Sequence, residues 1–578
     1  MKDLKKNIRA FALLNAAKYG KASAKAVLGQ IFRKFPELNK NPHEIYQLIE
    51  EIIKIVNKLS LKSLNAEINK LPSEFREIRK PKAKKELPPL SKTNQLIIMR
   101  LAPFPSGPLH IGNARMVILN DYYVKRYKGK LLLVYDDTIG SKEKRIIPEA
   151  YEMIDESLTW LGVKYQKKLY KSDRIDKTYD WCREAIEKNF AYICKCPSQE
   201  WREKYKVKKR PCPHRNQSKD TSLEEWDKML DGVYEEGEAV ARLKVGMDNL
   251  NPAVRDPVIM RIVKRPHPRI GTKYIVWPLL EFSWAIDDHL LGITHILRGK
   301  DLIKEDYIEK WVWEKFGWPL IEFIHYGLIK FKGLTLSKTQ SRLNIESGIY
   351  RGWDDPRTWS LYSLMKRGIK PSVLKEAIIS LGLKMVDIEY SPQDLYARNK
   401  KVIDPIASRY FYIPNPVKLF IQNIPYPELI SHPFVHPDHR ERGTRTISLP
   451  ISQRIAEVYI WEYDVNFLKT GSIIRLKDLC NIRIIKKSDT IEAQFLSKAL
   501  EDAPDKRISK IQWVPCKNNV KIQILMDNGT LLEGFGEPEC QNLKLNQIIQ
   551  FERVGFGKVS QIKPIILVYF AHKSKWTD

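Results

Sequence analysis

Hydrophobic positions along this chain change their period three times. Over residues 1 to 75 they recur at helical spacing. Leu4, Ile8, Phe11 and Leu14 share one face, Gly20 ends that helix, and Asn41-Pro42 supplies an N-cap and first-turn proline ahead of Ile45, Leu48, Ile49, Ile52 and Val56. Residues 76–94, with Arg79-Lys-Pro-Lys-Ala-Lys-Lys85 and Pro88-Pro89, read as a basic, proline-broken linker. From about 95 to 390, short apolar runs alternate with amphipathic helices, as in an α/β sheet. The first run, Leu96-Ile-Ile-Met-Arg-Leu101, reads as a buried parallel strand, and helical spacing resumes at Ile111, Ala114, Val117, Ile118, Asp121 and Tyr122. After about 400 the runs become short and β-prone: 446–449, 457–461, 472–476, 521–525 and 565–569. Asp527-Asn-Gly529 is a hairpin turn between two such segments, so residues 391–578 are expected to form antiparallel barrels.

Charge narrows the class of partner. Lys+Arg exceed Asp+Glu by 99 − 69 = +30, and the pI is near 9.5. Such a field favours a polyanion, although lysine-rich composition also accompanies thermal adaptation. With 43% hydrophobic residues, 14 Trp and 26 Tyr, the composition is that of a folded protein. No secretory apolar region is present, and no apolar run approaches the ~20 residues that span a bilayer. Seven scattered cysteines do not make a disulfide framework, and a reducing cytoplasm is the expected setting.

The chemistry concentrates in two places. Arg100-Leu-Ala-Pro-Phe-Pro-Ser-Gly-Pro-Leu-His-Ile-Gly-Asn113 joins the first strand to a helix through a Pro/Gly turn. Unpaired N–H groups and the helix dipole make such a turn a phosphate site, with His110 placed to donate. Far downstream, Thr335-Leu-Ser-Lys-Thr339 offers Lys338 as positive charge for the same phosphates.

These two segments resemble the ATP-binding signatures of class I aminoacyl-tRNA synthetases. From about residue 97 to the end, the chain resembles an archaeal-type glutamyl-tRNA synthetase of the glutamyl/glutaminyl subgroup. Further blocks carry this: Val134-Tyr-Asp-Asp-Thr138, Asn251-Pro-Ala-Val-Arg-Asp256, His267-Pro-Arg-Ile-Gly271, the run from Asp287-Asp-His289 to Asp301, and Gly352-Trp-Asp-Asp-Pro-Arg357. The resemblance implies a Rossmann-type catalytic domain over 95–390, an acceptor-stem insertion near 190–290, a helical junction near 340–390 and β-barrel anticodon-binding domains over 391–578. The helical segment 1–75 would be an appendage, either a plain cap or a part that docks tRNA or a protein partner.

The implied reaction is ATP-dependent activation of L-glutamate and transfer of the glutamyl group to tRNA(Glu), with tRNA(Gln) as a further acceptor. A glutaminyl enzyme of the same fold is the alternative, and a catalytically impaired tRNA-binding paralogue is a third reading. A monomer is expected. By resemblance His110 and Lys338 are catalytic, and Mg²⁺ rides on the phosphates. Pro105, Ser106, His110, Gly112, Asn113, Thr294, Ser337 and Lys338 form the ATP site, and Arg100, Asp136 and Trp277 the amino-acid site. Arg100 would fork onto a substrate carboxylate, or else pair with a neighbouring acid as a strand-end arginine. Asp136 would take the α-amino group, or else cap a helix, a role that otherwise falls to Asp137 or Thr138. Trp277 stands where a glutaminyl enzyme reads the side-chain amide with a tyrosine. An indole donates but does not accept. Asn113, Leu328 and Thr335 also depart from the family pattern, replacing a histidine, an arginine and the first lysine of the lysine motif.

Cys194-Lys-Cys196 and Cys212-Pro-His214, fifteen residues apart, have the spacing of a tetrahedral zinc site. Between them lie Trp201, Arg202, Lys204, Lys206, Lys208, Lys209 and Arg210, suited to phosphates. The alternative is four unliganded side chains left from a lost site. Cys182, Cys480, Cys516 and Cys540 lack metal spacing. The basic segment from Arg475 to Arg483 resembles the anticodon-facing part of the barrels, and equally suits a charged β-edge.

Overall fold

A computed structural model describes residues 2–40, 42–72, 75, 86–139, 145–334, 336–488, 490–502 and 508–574. Asn41 as N-cap, the basic run 79–85 and Thr335 lie outside the described residues. The chain divides into two compact units, Met1–Lys85 and Glu86–Asp578.

The first unit is helical: Lys2–Tyr19, Ala24–Lys34, Pro42–Val56 and Leu61–Asn69. Gly20 adopts φ +79 at the end of the first helix, the left-handed conformation that glycine tolerates. The core-facing positions differ in part from the sequence reading. Ile8 is buried, but its partners on that helix are Ala12, Leu13 and Ala16, with Phe11 and Leu14 at the margin. Close packing against Val27, Ile31 and Ile49 favours the small alanines, which a pattern of large apolar residues overlooks.

In the second unit, β1 (Ile98–Leu101), β2 (Lys130–Tyr135) and β3 (Lys167–Tyr170) form a parallel sheet in that order. An antiparallel sheet follows in the chain, built from β4 (Ala191–Cys194), β5 (Val240–Leu243), β6 (Val258–Ile262) and β7 (Val276–Pro278). The chain then returns through the helix Leu280–Leu290 to the parallel pair β8 (His295–Gly299) and β9 (Glu322–Tyr326). The Thr294 amide donates to the Ile98 carbonyl at 2.9 Å, which joins the start of β8 to the open side of β1. Met99, Leu101, Leu131, Leu133 and Ile118 of the helix Ala114–Arg126 form the core beneath this layer. The helices Lys338–Glu346, Leu361–Arg367, Pro371–Ser380 and Pro392–Ile403 follow.

Two seven-stranded sheets complete the unit. In one, Ser408–Tyr410 and Tyr412–Pro414 sit at opposite ends of the strand order although a single residue separates them. In the other, Ser509–Ile511 and Val514–Pro515 sit at opposite ends with two residues between them. Edges joined by so short a link must curl toward each other, and both sheets are therefore barrel-like. They are mixed rather than antiparallel, which corrects the sequence reading. Ser408–Tyr410 runs parallel to Ile548–Phe551, Pro416–Gln422 to Ile491–Ser497, Ile473–Leu476 to Ser509–Ile511, and Val520–Leu525 to Ile566–His572. Hairpin turns reveal antiparallel neighbours, whereas these parallel partners come from distant sequence. The hairpin at Asp527-Asn-Gly529 forms as expected between Val520–Leu525 and Leu531–Gly536. Among the described residues no helix is long and apolar enough to cross a membrane.

Candidate active site

The segment after β1 turns sharply, and two glycines permit it. Gly107 adopts φ +139, and a Cβ there would lie 2.7 Å from the Trp353 ring. A Cβ on Gly112 would lie 2.9 Å from the His110 ring, so glycine lets the imidazole rest on the backbone. The His110 amide donates to Asn113 Oδ1 at 3.2 Å. The turn is sewn to residues 359–361 by Ile111 N to Trp359 O at 2.9 Å and Leu361 N to Leu109 O at 2.7 Å. The helix Ala114–Arg126 then begins.

Above this turn opens a cavity of about 770 Å³. The turn contributes Phe104, Ser106, His110 and Asn113, and the end of β2 contributes Asp136 and Thr138. Arg261 enters from β6, Leu279 and Leu280 from beyond β7, and Leu336, Lys338, Thr339 and Arg342 from the lysine motif. Arg145 also lines it. Asp136 is the only carboxylate among these described residues, against Arg145, Arg261, Lys338 and Arg342. The cavity is therefore shaped for an anion.

Lys338 Nζ donates to the Gly107 carbonyl at 3.2 Å, which brings the lysine motif onto the turn. Burial lowers the Lys338 amine to about 8. Burial, and then the Lys338 charge, push His110 down to about 4, so the imidazole is neutral at pH 7. Its Nδ1 is buried with no hydrogen-bond partner among the described residues.

The comparisons with known proteins agree with this geometry. The model for tRNA synthetases class I (E and Q), catalytic domain, matches residues 96–405. Two models for tRNA synthetases class I (E and Q), anti-codon binding domain, match residues 407–497 and 510–560. The chain belongs to the class I tRNA synthetases of the E and Q family. It is similar to the glutamate–tRNA ligase of Pyrococcus abyssi, 41% identical over 572 residues, covering 97% of this chain and 98% of the relative. It is 40% identical over 559 residues to that of Methanocaldococcus jannaschii, covering 96% and 98%. It is 40% identical over 575 residues to that of Methanobrevibacter smithii, covering 99% and 100%.

In this synthetase the residues expected at the site divide into two groups. Ser106, His110, Asn113, Asp136 and Lys338 line the cavity. Pro105, Gly112, Thr294 and Ser337 do not. Gly112 lies under the His110 ring, the Thr294 hydroxyl receives the Ile98 amide at 2.9 Å, and Ser337 Oγ caps the helix Lys338–Glu346.

Arg100 takes the alternative partner. Its Nε and Nη2 fork onto Asp288 at 2.5 and 2.7 Å, and its guanidinium carbon lies 3.4 Å from the Trp284 ring centroid. It is buried and does not border the cavity. Trp277 is likewise fully buried, stacked on His267 with ring centroids 5.3 Å apart. The residues lining the cavity from this segment are Pro278, Leu279 and Leu280.

Asp137 is a buried clamp. It accepts from the Ser172 amide at 2.9 Å, the Ser172 hydroxyl at 2.8 Å and the Tyr151 hydroxyl at 3.0 Å. The His267 Nε2 lies 2.7 Å from its carbonyl oxygen, and Arg269 reaches its carboxylate at 3.4 Å. The His267-Pro-Arg269 motif thereby steadies the loop that presents Asp136.

Sequence reasoning missed Arg145, Arg261 and Arg342. Arg261 carried a signal, a lone cation inside the apolar strand Val258–Ile262. Its buried Nε has no hydrogen-bond partner among the described residues, and burial lowers its pKa.

Apart from this cavity, Cys194, Cys196, Cys212 and His214 converge, their ligand atoms all within 4.8 Å of one another. Cys194 and Cys212 sulfurs are 3.9 Å apart, and Cys196 Sγ is 3.4 Å from His214 Nδ1. A tetrahedral zinc with Zn–S of about 2.3 Å sets ligand sulfurs ~3.8 Å apart, so the donor set fits that ion. Cys182, Cys480 and Cys540 are buried elsewhere, and Cys516 is partly exposed.

Proposed function

We propose that the chain is a glutamate–tRNA ligase, which activates L-glutamate with ATP and transfers the glutamyl group to the 3′ end of tRNA(Glu). The observation that carries this reading is identity near 40% over almost the whole length of several such ligases, together with His110 and Lys338 meeting on one anion-shaped cavity. In the first step a glutamate carboxylate oxygen attacks the α-phosphorus of ATP and pyrophosphate leaves. The protein supplies no nucleophile; it places the reactants in line and stabilises charge on the phosphates. His110 donates as a neutral imidazole, Lys338 and Arg342 add positive charge, and Asn113 keeps its side-chain NH₂ free because Oδ1 is taken by the His110 amide. Mg²⁺ would neutralise the triphosphate. With Asp136 the only lining carboxylate among the described residues, the phosphates themselves would hold it.

Asp136 takes the α-ammonium of the amino acid. Arg145 and Arg261, the guanidiniums of the cavity wall, suit a side-chain carboxylate over a carboxamide, because a guanidinium only donates. This favours glutamate over glutamine. Retention of His110, Asp136 and Lys338 on one cavity favours an active ligase over a binder. In the second step a ribose hydroxyl of the tRNA's terminal adenosine attacks the glutamyl carbonyl, the acyl–phosphate bond breaks, and AMP leaves with the hydroxyl proton.

The parallel layer serves as a Rossmann-type catalytic domain, and the antiparallel sheet β4–β7 as the acceptor-binding insertion, with zinc on Cys194, Cys196, Cys212 and His214 fixing its tip. The barrel-like sheets receive the anticodon. There the hairpin of Ile473–Leu476 and Cys480–Lys487 ties Arg475 to Asn481 at 2.9 Å and leaves Arg483 exposed for phosphate. Aminoacylation of purified tRNA(Glu) and tRNA(Gln) with labelled glutamate and glutamine tests the reading. Glutamate on tRNA(Glu) is expected, and glutamate on both tRNAs would make the enzyme non-discriminating.

A further inference from the structure

Lys171 is a charged side chain that the reaction above does not use, and it is only 2% exposed. It opens the turn Lys171–Arg174 directly after β3. Its ammonium donates to Ser283 Oγ at 2.6 Å. The same atom lies 3.5 Å from Asp136 Oδ1 and 3.5 Å from the Trp284 ring centroid. Arg100, Asp287 and Asp288 are the other charges close enough to act on it, and Arg174 holds Asp287 at 2.6 Å. Burial drives the Lys171 amine below the usual lysine range, and Asp136 opposes that shift.

Such a placement is costly. A buried ammonium forfeits several kcal/mol of hydration, which a methionine of similar length filling the same space would not. Filling space is therefore a poor account of Lys171.

Asp136 is the contact that leads from Lys171 to the cavity. Lys171 itself does not border the cavity, whereas Asp136 lines it. Among the described residues, both near contacts of that carboxylate, Lys171 and the Thr138 hydroxyl at 3.5 Å, fall on Oδ1. Oδ2 remains for a ligand. At 3.5 Å the ion pair is longer than the ~2.7–2.9 Å of a charge-assisted hydrogen bond, so the carboxylate keeps accepting capacity. A protein ammonium behind and a substrate ammonium in front would share one carboxylate.

We propose that Lys171 is a positioning residue for the amino-acid substrate: it holds the Asp136 carboxylate fixed at the cavity wall to receive the α-ammonium group, an inference that rests on the role given to Asp136 above. The test is steady-state aminoacylation with full-length enzyme, comparing wild type with Lys171→Met, Lys171→Arg and Asp136→Asn. Lys171→Met is expected to raise KM for glutamate by about tenfold or more, with KM for ATP within about twofold of wild type and an unchanged melting temperature. Lys171→Arg, which keeps the charge, is expected to restore most of the loss.

Glutarate, which lacks the α-amino group, supplies the readout that a merely structural role would not move. As a competitor of glutamate, its Ki is expected to stay constant in Lys171→Met while KM for glutamate rises. Equal weakening of glutamate and glutarate, or an unchanged KM for glutamate, overturns the role of Lys171. If Asp136→Asn raises KM for glutamate and Lys171→Met does not, Lys171 loses its role and the reading of Asp136 stands. If Asp136→Asn also leaves that KM unchanged, the reading of Asp136 itself falls. Should Lys171→Met not fold, Lys171→Gln, which can still bond Ser283, is judged by the same outcomes.

Discussion

At the scale of single residues, the central object is the pairing of His110 and Lys338 across the turn. Both sit where burial removes charge, His110 near 4 and Lys338 near 8, and the two effects have different consequences. His110 donates without adding repulsion to its neighbour. Lys338 carries its charge below about pH 8 and loses it above, so kcat/KM for ATP should fall as pH rises through that value. Lys338→Arg should move that alkaline limb beyond the measurable range, because a guanidinium keeps its proton. The stability of the free enzyme responds with the opposite sign. The unfolded lysine binds its proton up to its ordinary value of 10.5, so between about 8 and 10.5 the unfolded state holds more protons and stability rises with pH. A pH series of ATP kinetics beside thermal melts checks both signs. Lys338→Ala should lower the rate of adenylate formation by about 10²–10³ while tRNA affinity stays nearly constant, which rapid-quench and filter-binding measurements would separate. Gly112→Ala should fold but lose activity, because its methyl group would stand where the His110 ring lies.

At the scale of elements, strands and helices near the site were legible because their apolar periods are strong. β1, the helix after the turn and the short C-terminal strands all fall where those periods place them. Contacts made across long sequence separations were not legible. Arg100 reads as a ligand for a substrate carboxylate or as the partner of a neighbouring acid, and nothing local marks Asp288, 188 residues away, as that acid. Nor does anything local show that Trp277 packs on His267 while Pro278, Leu279 and Leu280 line the cavity. The parallel strand pairs of the C-terminal sheets escaped for the same reason. The cysteine spacing, by contrast, was legible, since Cys194-Lys-Cys196 and Cys212-Pro-His214 each form a short chelating loop. Purified enzyme should contain about one zinc per chain by elemental analysis, and Cys212→Ser or a chelator should remove it. Because structural zinc contributes directly to folding, that loss should also raise proteolytic cleavage between residues 190 and 245.

At the scale of the whole molecule, the C-terminal sheets are keyed into the catalytic half. Arg367 is fully buried and donates to the Phe570 carbonyl at 3.0 Å, the Ala571 carbonyl at 2.7 Å and the Tyr396 hydroxyl at 2.8 Å. Deleting the sheets would leave that cation without its carbonyl partners, at a cost of several kcal/mol. The change of character near residue 400 therefore falls inside one compact unit. The boundary at residue 85 is different, and a fragment spanning 86–578 should keep the melting temperature and adenylate formation of that unit. The net charge of +30 should make tRNA binding fall steeply and linearly in a plot of log affinity against log salt.

The most direct measurement of the central claim is transfer of labelled amino acids to purified tRNA(Glu) by the full-length enzyme with ATP and Mg²⁺, glutamate and glutamine side by side. Glutamate transfer, abolished in Lys338→Ala, is the result expected. Glutamine transfer, or tight tRNA binding with neither amino acid transferred by the wild-type protein, would contradict it.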